Sequence, residues 1–249
     1  MKDGARVVCV IPALNEADAI ARVIAEIPGW VDRVIVADNG STDETEQVAR
    51  AAGATVVREP EPGYGAACLA GIALAQDADI IVFLDGDYSD YPSDMAALVD
   101  PIIHGEADFV LGSRTQGVRE SGSLTLPQRF GNWLATRLIA LIWGTRYTDL
   151  GPFRAIRKTA LDRLEMADRN YGWTVEMQIK AVEKGLAIAE VPVRYRNRIG
   201  VSKVSGTVRG TVLAGYKILF IIGREAWRRQ TAAKPQAARR GGPGAKPAN

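Results

Sequence analysis

The chain has 249 residues, of which 47% are hydrophobic and 24% charged, and these ordinary values exclude a wholly disordered protein. Its two cysteines are too few for a disulfide scaffold or a four-cysteine zinc site, and its single histidine, His104, excludes a histidine-rich metal centre. The formal net charge of +2 is unevenly distributed, because residues 228–249 contain six cations and no acidic residue, which leaves −4 on the first 227 residues.

Short apolar runs alternate with stretches of helical periodicity through residues 6–111. The predicted strands are 6–11, 33–37, 54–57, 80–84 and 107–111. The predicted helices are 16–27, 42–52, 65–76 and 93–103. Ser41, with Glu44 three residues on, is the expected N-cap of the second helix. Near-continuous apolar strands that alternate with helices indicate an α/β fold: a Rossmann-like, mostly parallel central sheet with helices on both faces.

Polar residues follow four of the five predicted strands. These groups are the runs 12–16 (PALNE), 38–43 (DNGSTD), 85–87 (DGD) and 112–114 (GSR). The carboxyl ends of parallel strands meet at one edge of a sheet, and ligands bind in the crevice beyond them. The sequence therefore predicts that the four groups together form a site at this edge.

Asp85-Gly86-Asp87 has the most specific chemistry of the four groups. Two carboxylates separated by one residue can share a hard divalent cation, and Gly86 permits close approach of the backbone. Mg²⁺ or Mn²⁺ held in this way typically bridges substrate phosphates. Asp77-Ala78-Asp79 has the same spacing, but it precedes a predicted strand, where acidic surface residues are common. Position after a buried strand thus favours Asp85 and Asp87 as metal ligands.

Two C-terminal segments, 129–143 and about 207–227, are apolar, contain aromatic residues and are bordered by Arg and Lys. Such helices suit a membrane interface, although a helix of the protein core has a similar composition. Neither is an uninterrupted apolar run of the ~18 residues expected of a spanning helix, and the first residues lack the pattern of a secretory signal. We therefore expect a cytoplasmic protein, in peripheral contact with the inner face of the plasma membrane.

Three divisions of the chain follow from these patterns. Residues 1–205 are predicted to form the α/β domain, and residues 206–228 an amphipathic helix. Residues 229–249 are rich in Ala, Pro and Gly and have no large apolar side chain, which predicts a disordered basic tail. Such a tail either attracts anionic lipid or is simply solvated, and no nucleic-acid partner is expected.

The order and spacing of these motifs resemble the family 2 glycosyltransferases, which have the GT-A fold. The resemblance extends from PALNE, DNGSTDET and DGD to further motifs. These are Gly63-Tyr64-Gly65, Gly112-Ser113-Arg114, the run 149–154 (DLGPFR) and the run 198–203 (RIGVSK). It covers about residues 6–205, and the closest branch is the polyprenyl-phosphate (dolichyl-phosphate) mannosyl- and glucosyltransferases.

The resemblance implies a role for each matching residue. The residues that would line the nucleotide pocket are Pro12, Leu14, Asn15 and Glu16, with Asp38 beside the base or ribose. The residues that would lie beside the diphosphate and a divalent metal are Asp85, Gly86 and Asp87, with Asp87 the more direct ligand. The residues that would neutralise phosphates are Arg114, Arg198 and Lys203, together with Arg129.

The implied reaction is an inverting transfer of a hexose from a GDP- or UDP-linked sugar to a polyprenyl phosphate. A lipid phosphate is already nucleophilic at neutral pH, whereas a soluble or glycan hydroxyl would need a carboxylate base, for which Asp149 and Glu176 are candidates. Two alternatives of other classes are a sugar-1-phosphate nucleotidyltransferase and a non-enzymatic lipid-binding protein. The chain also departs from the family at Ser89, where a metal-holding Gln is common, and at Leu14, where an aromatic residue is frequent. Either Asp90 replaces the Gln or the metal is held differently.

Overall fold

The computed structural model describes residues 1–200 and 208–238, in which one mixed sheet is covered by helices. The strands are β1 (Val7–Ala13), β2 (Arg33–Asp38), β3 (Thr55–Arg58), β4 (Ile80–Phe83), β5 (Phe109–Ser113), β6 (Arg154–Arg157) and β7 (Ile188–Pro192). The helices are α1 (Ala17–Glu26), α2 (Thr45–Ala51), α3 (Tyr64–Leu74), α4 (Met95–Ile103), α5 (Leu126–Trp143), α6 (Lys158–Leu164), α7 (Trp173–Glu183) and α8 (Val208–Ala238), with a 3₁₀ turn at Pro92–Asp94. The predicted strands and helices of the first half of the chain all form.

The strands of the described residues are ordered β3-β2-β1-β4-β6-β5-β7. β1 pairs in parallel with β2 and with β4, and β5 pairs in parallel with β7. β6 is antiparallel to both of its neighbours, with Ala155 opposite Val82 on β4 and opposite Val110 on β5. The prediction of a mostly parallel sheet is thus confirmed. The sequence did not reveal β6, because a four-residue strand that begins and ends with arginine lacks an apolar run.

Successive residues of the central strands point to opposite faces of the sheet, and each face has its own apolar core. On one face Val8, Val10 and Phe83 pack with residues of α3, α5, α6, α7 and α8. On the other face Cys9 and Val82 pack with residues of α1, α2 and α4. Because strands with both faces buried need apolar residues at every position, this arrangement explains the near-continuous apolar runs of the sequence.

The second helix begins later than the sequence predicts. α2 begins at Thr45, and the expected N-cap Ser41 instead accepts a hydrogen bond from the backbone N–H of Asn15, at 2.9 Å. The carboxylate of Asp43 accepts the N–H of Thr45 at 3.0 Å. The expected Ser41 cap is therefore wrong, because a tertiary contact with the loop after β1 takes this side chain.

The C-terminal helix extends beyond its predicted end. α8 continues to Ala238, so residues 229–238, which were predicted to be part of a disordered tail, are helical. Their alanine-rich composition provides the reason, since Ala has the highest helix propensity. Residues 239–249 lie outside the described part of the chain.

Gly71 of α3 lies directly against β1, and a Cβ at this position would lie 2.4 Å from Cγ1 of Val10. Replacement of a helical glycine by alanine ordinarily stabilises a helix by about 1 kcal/mol. Here the overlap with the buried Val10 opposes that gain, and we expect Gly71→Ala to lower the free energy of unfolding by about 1–3 kcal/mol. Urea denaturation measures the difference.

Gly223 of α8 provides the matched control, because a Cβ there would meet nothing within 4 Å. Gly223→Ala is expected to raise the free energy of unfolding by about 0.5–1 kcal/mol. If both variants gained stability, the close packing of α3 on β1 would be contradicted.

Candidate active site

The polar groups that follow β1, β2, β4 and β5 lie at the same edge of the sheet, because these strands run in the same direction. A cavity of about 1000 Å³ opens at this edge. The predicted site residues that line it are Pro12, Leu14, Glu16, Asp85, Gly86, Asp87, Arg114, Arg129 and Arg198. The structure thus brings together residues that are up to 186 positions apart in the sequence.

Two of the predicted nucleotide-binding residues, Asn15 and Asp38, do not line this cavity. The side-chain oxygen of Asn15 accepts the N–H of Thr42 at 2.8 Å. Asp38 is buried, and its carboxylate accepts the N–H of Ser41 at 3.2 Å. Asn15 therefore joins the loops after β1 and β2 to each other, whereas Asp38 fixes the loop after β2 from within.

Asp85 and Asp87 are held by different partners. Oδ1 of Asp85 accepts a hydrogen bond from the hydroxyl of Tyr64 at 3.1 Å, and burial raises the pKa of the Asp85 carboxyl. Oδ1 of Asp87 accepts hydrogen bonds from the backbone N–H of Ser89 at 2.9 Å and from its hydroxyl at 2.5 Å. Oδ2 of Asp87 forms an ion pair with Arg198. Ser89 thus supports Asp87 and has no part in the cavity wall.

Asp90 is buried beside this pair without lining the cavity. Neither of its carboxylate oxygens has a hydrogen-bond partner among the described residues. Burial, together with the negative charge of Asp85, raises the pKa of Asp90 to about 7. The acid three residues after Asp87 is therefore separated from the cavity surface by its neighbours.

The two predicted base candidates are both engaged in buried ion pairs and do not line the cavity. Asp149 binds the guanidinium of Arg114 through two hydrogen bonds, Nε to Oδ2 at 2.8 Å and Nη2 to Oδ1 at 2.7 Å. Burial alone would raise the pKa of Asp149, but the charge and hydrogen bonds of Arg114 outweigh it and hold this pKa below its usual value. Glu176 lies 3.0 Å from Nζ of Lys180 and accepts the N–H of Asp168 at 2.8 Å. Each carboxylate thus holds other groups of the protein in place.

Arg114 points into the cavity from a rigid setting. Asp149 holds its guanidinium in a bidentate pair, and the guanidinium carbon lies 5.1 Å from the centre of the Tyr195 ring. A planar fork fixed in this way presents its remaining N–H groups in one orientation. Lys203, the other predicted cation of this group, lies outside the described residues.

A second wall of the cavity comes from α5 and the segments that flank it, and of its cations only Arg129 was predicted as a site residue. Its cationic residues are Arg119, Arg129, Arg137 and Arg146. None of these four forms an ion pair with any residue in the described ranges, so their charges are available to an anionic ligand. The signal was present in the sequence, since Arg129 and Arg137 lie eight residues apart and so on similar sides of a helix.

α8 completes the cavity with Ala214, Gly215 and Ile218. α5 and α8 also expose large apolar side chains that together we call the α5–α8 surface, and one of them, Trp133, lines the cavity as well. These are Leu126, Phe130, Trp133, Leu141, Val212, Leu213, Tyr216, Leu219, Phe220 and Trp227. Within the described ranges, none of the helices combines the length and the hydrophobicity that crossing a bilayer requires.

The donor set of the acid pair fits a divalent cation. The described residues contain no group of three or more His, Cys, Asp or Glu side chains that would hold a metal unaided. Asp85 and Asp87 nevertheless line one cavity together with arginines, and Mg²⁺ is commonly bound by one or two carboxylates plus substrate phosphates and water. The site thus has the composition expected when a diphosphate supplies the remaining ligands.

Comparison with solved structures places the fold. Glucosyl-3-phosphoglycerate synthase from Mycobacterium tuberculosis, in complex with Mn²⁺, uridine diphosphate and phosphoglyceric acid, superposes with a TM-score of 0.74 and 26% identity. The superposition covers 90% of this chain and 80% of that protein. This neighbour is a GT-A glycosyltransferase, so the fold predicted from the motifs is confirmed.

Curated relatives agree with the structural neighbour. An uncharacterised glycosyltransferase of Mycobacterium tuberculosis is 37% identical over 219 residues, which are 85% of this chain and 95% of the relative. The dolichyl-phosphate hexose transferase of Haloferax volcanii is 32% identical over 209 residues, which are 82% of this chain and 89% of the relative. The family model described as Glycosyl transferase family 2 matches residues 8–165. With the motifs, the fold and these relatives in agreement, the chain belongs to glycosyl transferase family 2.

Proposed function

We propose that this glycosyltransferase moves a hexose from a UDP- or GDP-linked sugar to a polyprenyl phosphate, with inversion at the anomeric carbon. The observation that carries the proposal is the continuity of one cavity. Its walls include the acid pair Asp85 and Asp87, a set of arginines, and apolar side chains of α5 and α8. The apolar part, which we call the acceptor groove, contains Trp133, Ala140 and Ile218. An anionic headgroup on a long apolar chain has the chemical character that such a combination of walls would accept.

The nucleotide diphosphate is proposed to bind beside Asp85 and Asp87, which would hold Mg²⁺ or Mn²⁺. When bound, this metal supplies Lewis-acid stabilisation of the negative charge that develops on the leaving diphosphate. The structural neighbour that was crystallised with Mn²⁺ and uridine diphosphate supports this part of the proposal. Pro12, Leu14 and Glu16 line the same cavity and would contact the nucleoside, with Asp38 and Asn15 fixing the loops behind them.

Arg114 and Arg198 would neutralise further phosphate charge, with Lys203 as an additional cation. The buried ion pair with Asp149 holds the fork of Arg114 in one orientation, which favours a bidentate contact to a phosphate. The four arginines without ion pairs, among them Arg129, would receive the phosphate of the acceptor on the other wall of the cavity. Placing donor and acceptor phosphates in one cavity requires this excess of positive charge.

A phosphate acceptor also agrees with the positions of the acids. A phosphate oxygen is already anionic at neutral pH, so its attack on the anomeric carbon needs no general base. Asp149 and Glu176, the two base candidates, are both engaged in ion pairs away from the cavity surface. The Haloferax volcanii relative is a dolichyl-phosphate hexose transferase, and dolichyl phosphate belongs to the same class of acceptor.

The α5–α8 surface is proposed to lie on an anionic bilayer, from which the lipid acceptor would enter the groove. Its exposed aromatic residues form pairs, with the rings of Phe130 and Trp133 5.9 Å apart and those of Tyr216 and Phe220 6.3 Å apart. Exposed arginines of α8 that do not line this cavity, such as Arg228 and Arg229, would contact lipid phosphates. Apolar contact combined with basic residues is the usual composition of an interfacial helix.

A soluble phosphorylated acceptor is the second candidate. The structural neighbour binds phosphoglyceric acid, and the unpaired arginines of the cavity would suit the phosphate of such a molecule. This acceptor reacts through a hydroxyl and therefore needs a base. The exposed apolar side chains of α5 and α8 would also have no role in it, so we favour the lipid.

Asp87→Asn is expected to lower transfer by at least about 10²-fold, because it removes a charge beside the diphosphate. The amide keeps an oxygen that accepts the hydrogen bonds of Ser89, so the melting temperature should change little. EDTA should abolish wild-type activity, and added Mn²⁺ or Mg²⁺ should restore it. Initial rates with a radiolabelled nucleotide sugar provide the measurement.

Asp79→Asn is the matched control, because Asp79 belongs to the other Asp-x-Asp sequence and does not line the cavity. Its activity should equal that of the wild type. Full activity of Asp87→Asn, or of the wild type in EDTA, would contradict the metal-dependent mechanism.

Solvent partition tests the acceptor. The enzyme is incubated with radiolabelled UDP-glucose, UDP-N-acetylglucosamine or GDP-mannose, with polyprenyl phosphate or with the corresponding polyprenol. Label from one donor should enter the organic phase with the phosphate and not with the alcohol, because the alcohol needs a base. Label that stays in the aqueous phase with all donors while phosphoglyceric acid becomes glycosylated would favour the second candidate.

Flotation with vesicles tests the membrane contact. The protein should float with vesicles that contain phosphatidylglycerol, and Phe130→Asp combined with Leu213→Asp should reduce the floating fraction several-fold, because both side chains are exposed on the α5–α8 surface. Leu74→Asp on α3 is the control at an exposed leucine outside that surface and should float normally. Equal flotation of all three proteins would refute the proposed orientation.

A further inference from the structure

Two buried acids form ion pairs with α8: Asp168, in the segment that precedes α7, and Glu176, within α7. Nζ of Lys217 lies 2.9 Å from Oδ2 of Asp168, whose side chain is only 1% exposed. One turn along α8, the buried Ile221 packs so closely on Gly172 that a Cβ at this glycine would lie 2.5 Å from Cγ1 of Ile221. Arg224 lies 3.5 Å from the buried Glu176. A shift of α8 would therefore move residues 168–172, which we call the 168–172 loop.

Asp168 also fixes the shape of this loop. Its Oδ1 accepts the backbone N–H of Asn170 at 2.8 Å and that of Gly172 at 3.1 Å. The two oxygens of this carboxylate thus have different partners: Oδ2 pairs with Lys217, and Oδ1 accepts the backbone hydrogen bonds that hold the turn. Removal of the Lys217 charge would leave a buried carboxylate without its counter-ion.

The other side of the 168–172 loop lies against the start of α3 without space between the two backbones. A Cβ on Gly63 would lie 2.0 Å from the carbonyl oxygen of Arg169, and a Cβ on Gly65 would lie 2.0 Å from that of Asp168. The N–H of Ala66 donates a hydrogen bond to the carbonyl oxygen of Arg169 at 2.9 Å. The glycines on either side of Tyr64 therefore permit the loop to act directly on this tyrosine.

Tyr64 connects the loop to the acid pair. Its hydroxyl donates to Oδ1 of Asp85 at 3.1 Å, and its ring packs edge-on against Trp173, the first residue of α7, with 6.2 Å between ring centres. A continuous series of contacts thus runs from α8 through the loop and Tyr64 to the carboxylate of Asp85. Asp85, at one end of the series, lines the same cavity as Ile218, which is the neighbour of Lys217 on α8 at the other end.

We propose that Lys217 is a positioning residue for the donor site: through Asp168 and the 168–172 loop it sets the position of Tyr64 and so of the Asp85 carboxylate. Where it concerns donor binding, this inference rests on the proposed use of a nucleotide sugar. Its consequence is that the helix which forms the acceptor groove and the α5–α8 surface also controls the affinity for the nucleotide. Contact of α8 with its lipid partner and binding of the donor are then coupled.

The test measures binding of UDP and of GDP, each with Mn²⁺, to the full chain by calorimetry without lipid. Lys217→Met should weaken binding of the nucleotide that the wild type prefers by roughly fivefold to tenfold, within the usual range of coupling between sites. Lys217→Arg, which restores the charge, should bind within about twofold of the wild type. Lys184→Met is the matched control, because Lys184 is exposed and has no ion pair among the described residues, and it should bind normally.

Hydrogen exchange at the Ala66 amide provides a readout that does not depend on a nucleotide. Exchange should become faster in Lys217→Met by a factor of about five or more, with global stability held constant by comparison with core amides of β1. Asp168→Asn combined with Lys217→Met should return exchange towards the wild-type rate, because no unpaired charge remains buried.

The outcomes separate the two proposals. If the wild type bound neither nucleotide but Ala66 exchange were still faster in Lys217→Met, the proposed nucleotide-sugar donor would be refuted. The role of Lys217 in the contact series would stand. Normal nucleotide binding and unchanged Ala66 exchange in Lys217→Met would overturn the role of Lys217. If Lys217→Met lowered the melting temperature but left both of these readouts unchanged, the ion pair would contribute to stability alone. That result would also overturn the positioning role of Lys217.

Discussion

The site depends on the negative charge of two carboxylates that lie at the sheet edge just after β4. Asp85 and Asp87 follow directly on the buried strand, and burial makes their charged forms costly unless cations and donors face them. Tyr64 and Arg198 meet part of this need, and the remaining charge suits a divalent metal with a diphosphate. The arrangement of arginines around the cavity follows from the same electrostatic requirement.

The buried ion pairs divide the charged residues into two groups with different tasks. Asp149 and Glu176 are fully engaged with cations of the protein, and they hold Arg114 and the helices α7 and α8 in place. The arginines of the α5 wall have no such partners in the described chain and face the cavity. A reaction in which both substrates are anionic and no base is needed accounts for both groups at once.

Much of the site follows from local patterns in the sequence. The motifs DGD and GSR each follow an apolar strand, which places both motifs at the carboxyl-terminal edge of the sheet. Asp85, Asp87 and Arg114 were therefore predictable as one site. The pairing of Asp149 with Arg114 was not, because 35 residues separate them, and neither was the pairing of Arg224 with Glu176 across 48 residues. The antiparallel β6 escaped prediction for a related reason, since its short sequence gains its strand conformation from β4 and β5.

The central claim is that the phosphate of a lipid acts as the nucleophile within this cavity. Phosphorus NMR of a short-chain polyprenyl phosphate during turnover observes that atom directly. The account predicts that the phosphomonoester resonance disappears and a phosphodiester resonance grows in equal amount as the nucleotide sugar is converted to nucleoside diphosphate. A monoester resonance that persists while nucleoside diphosphate accumulates would contradict it.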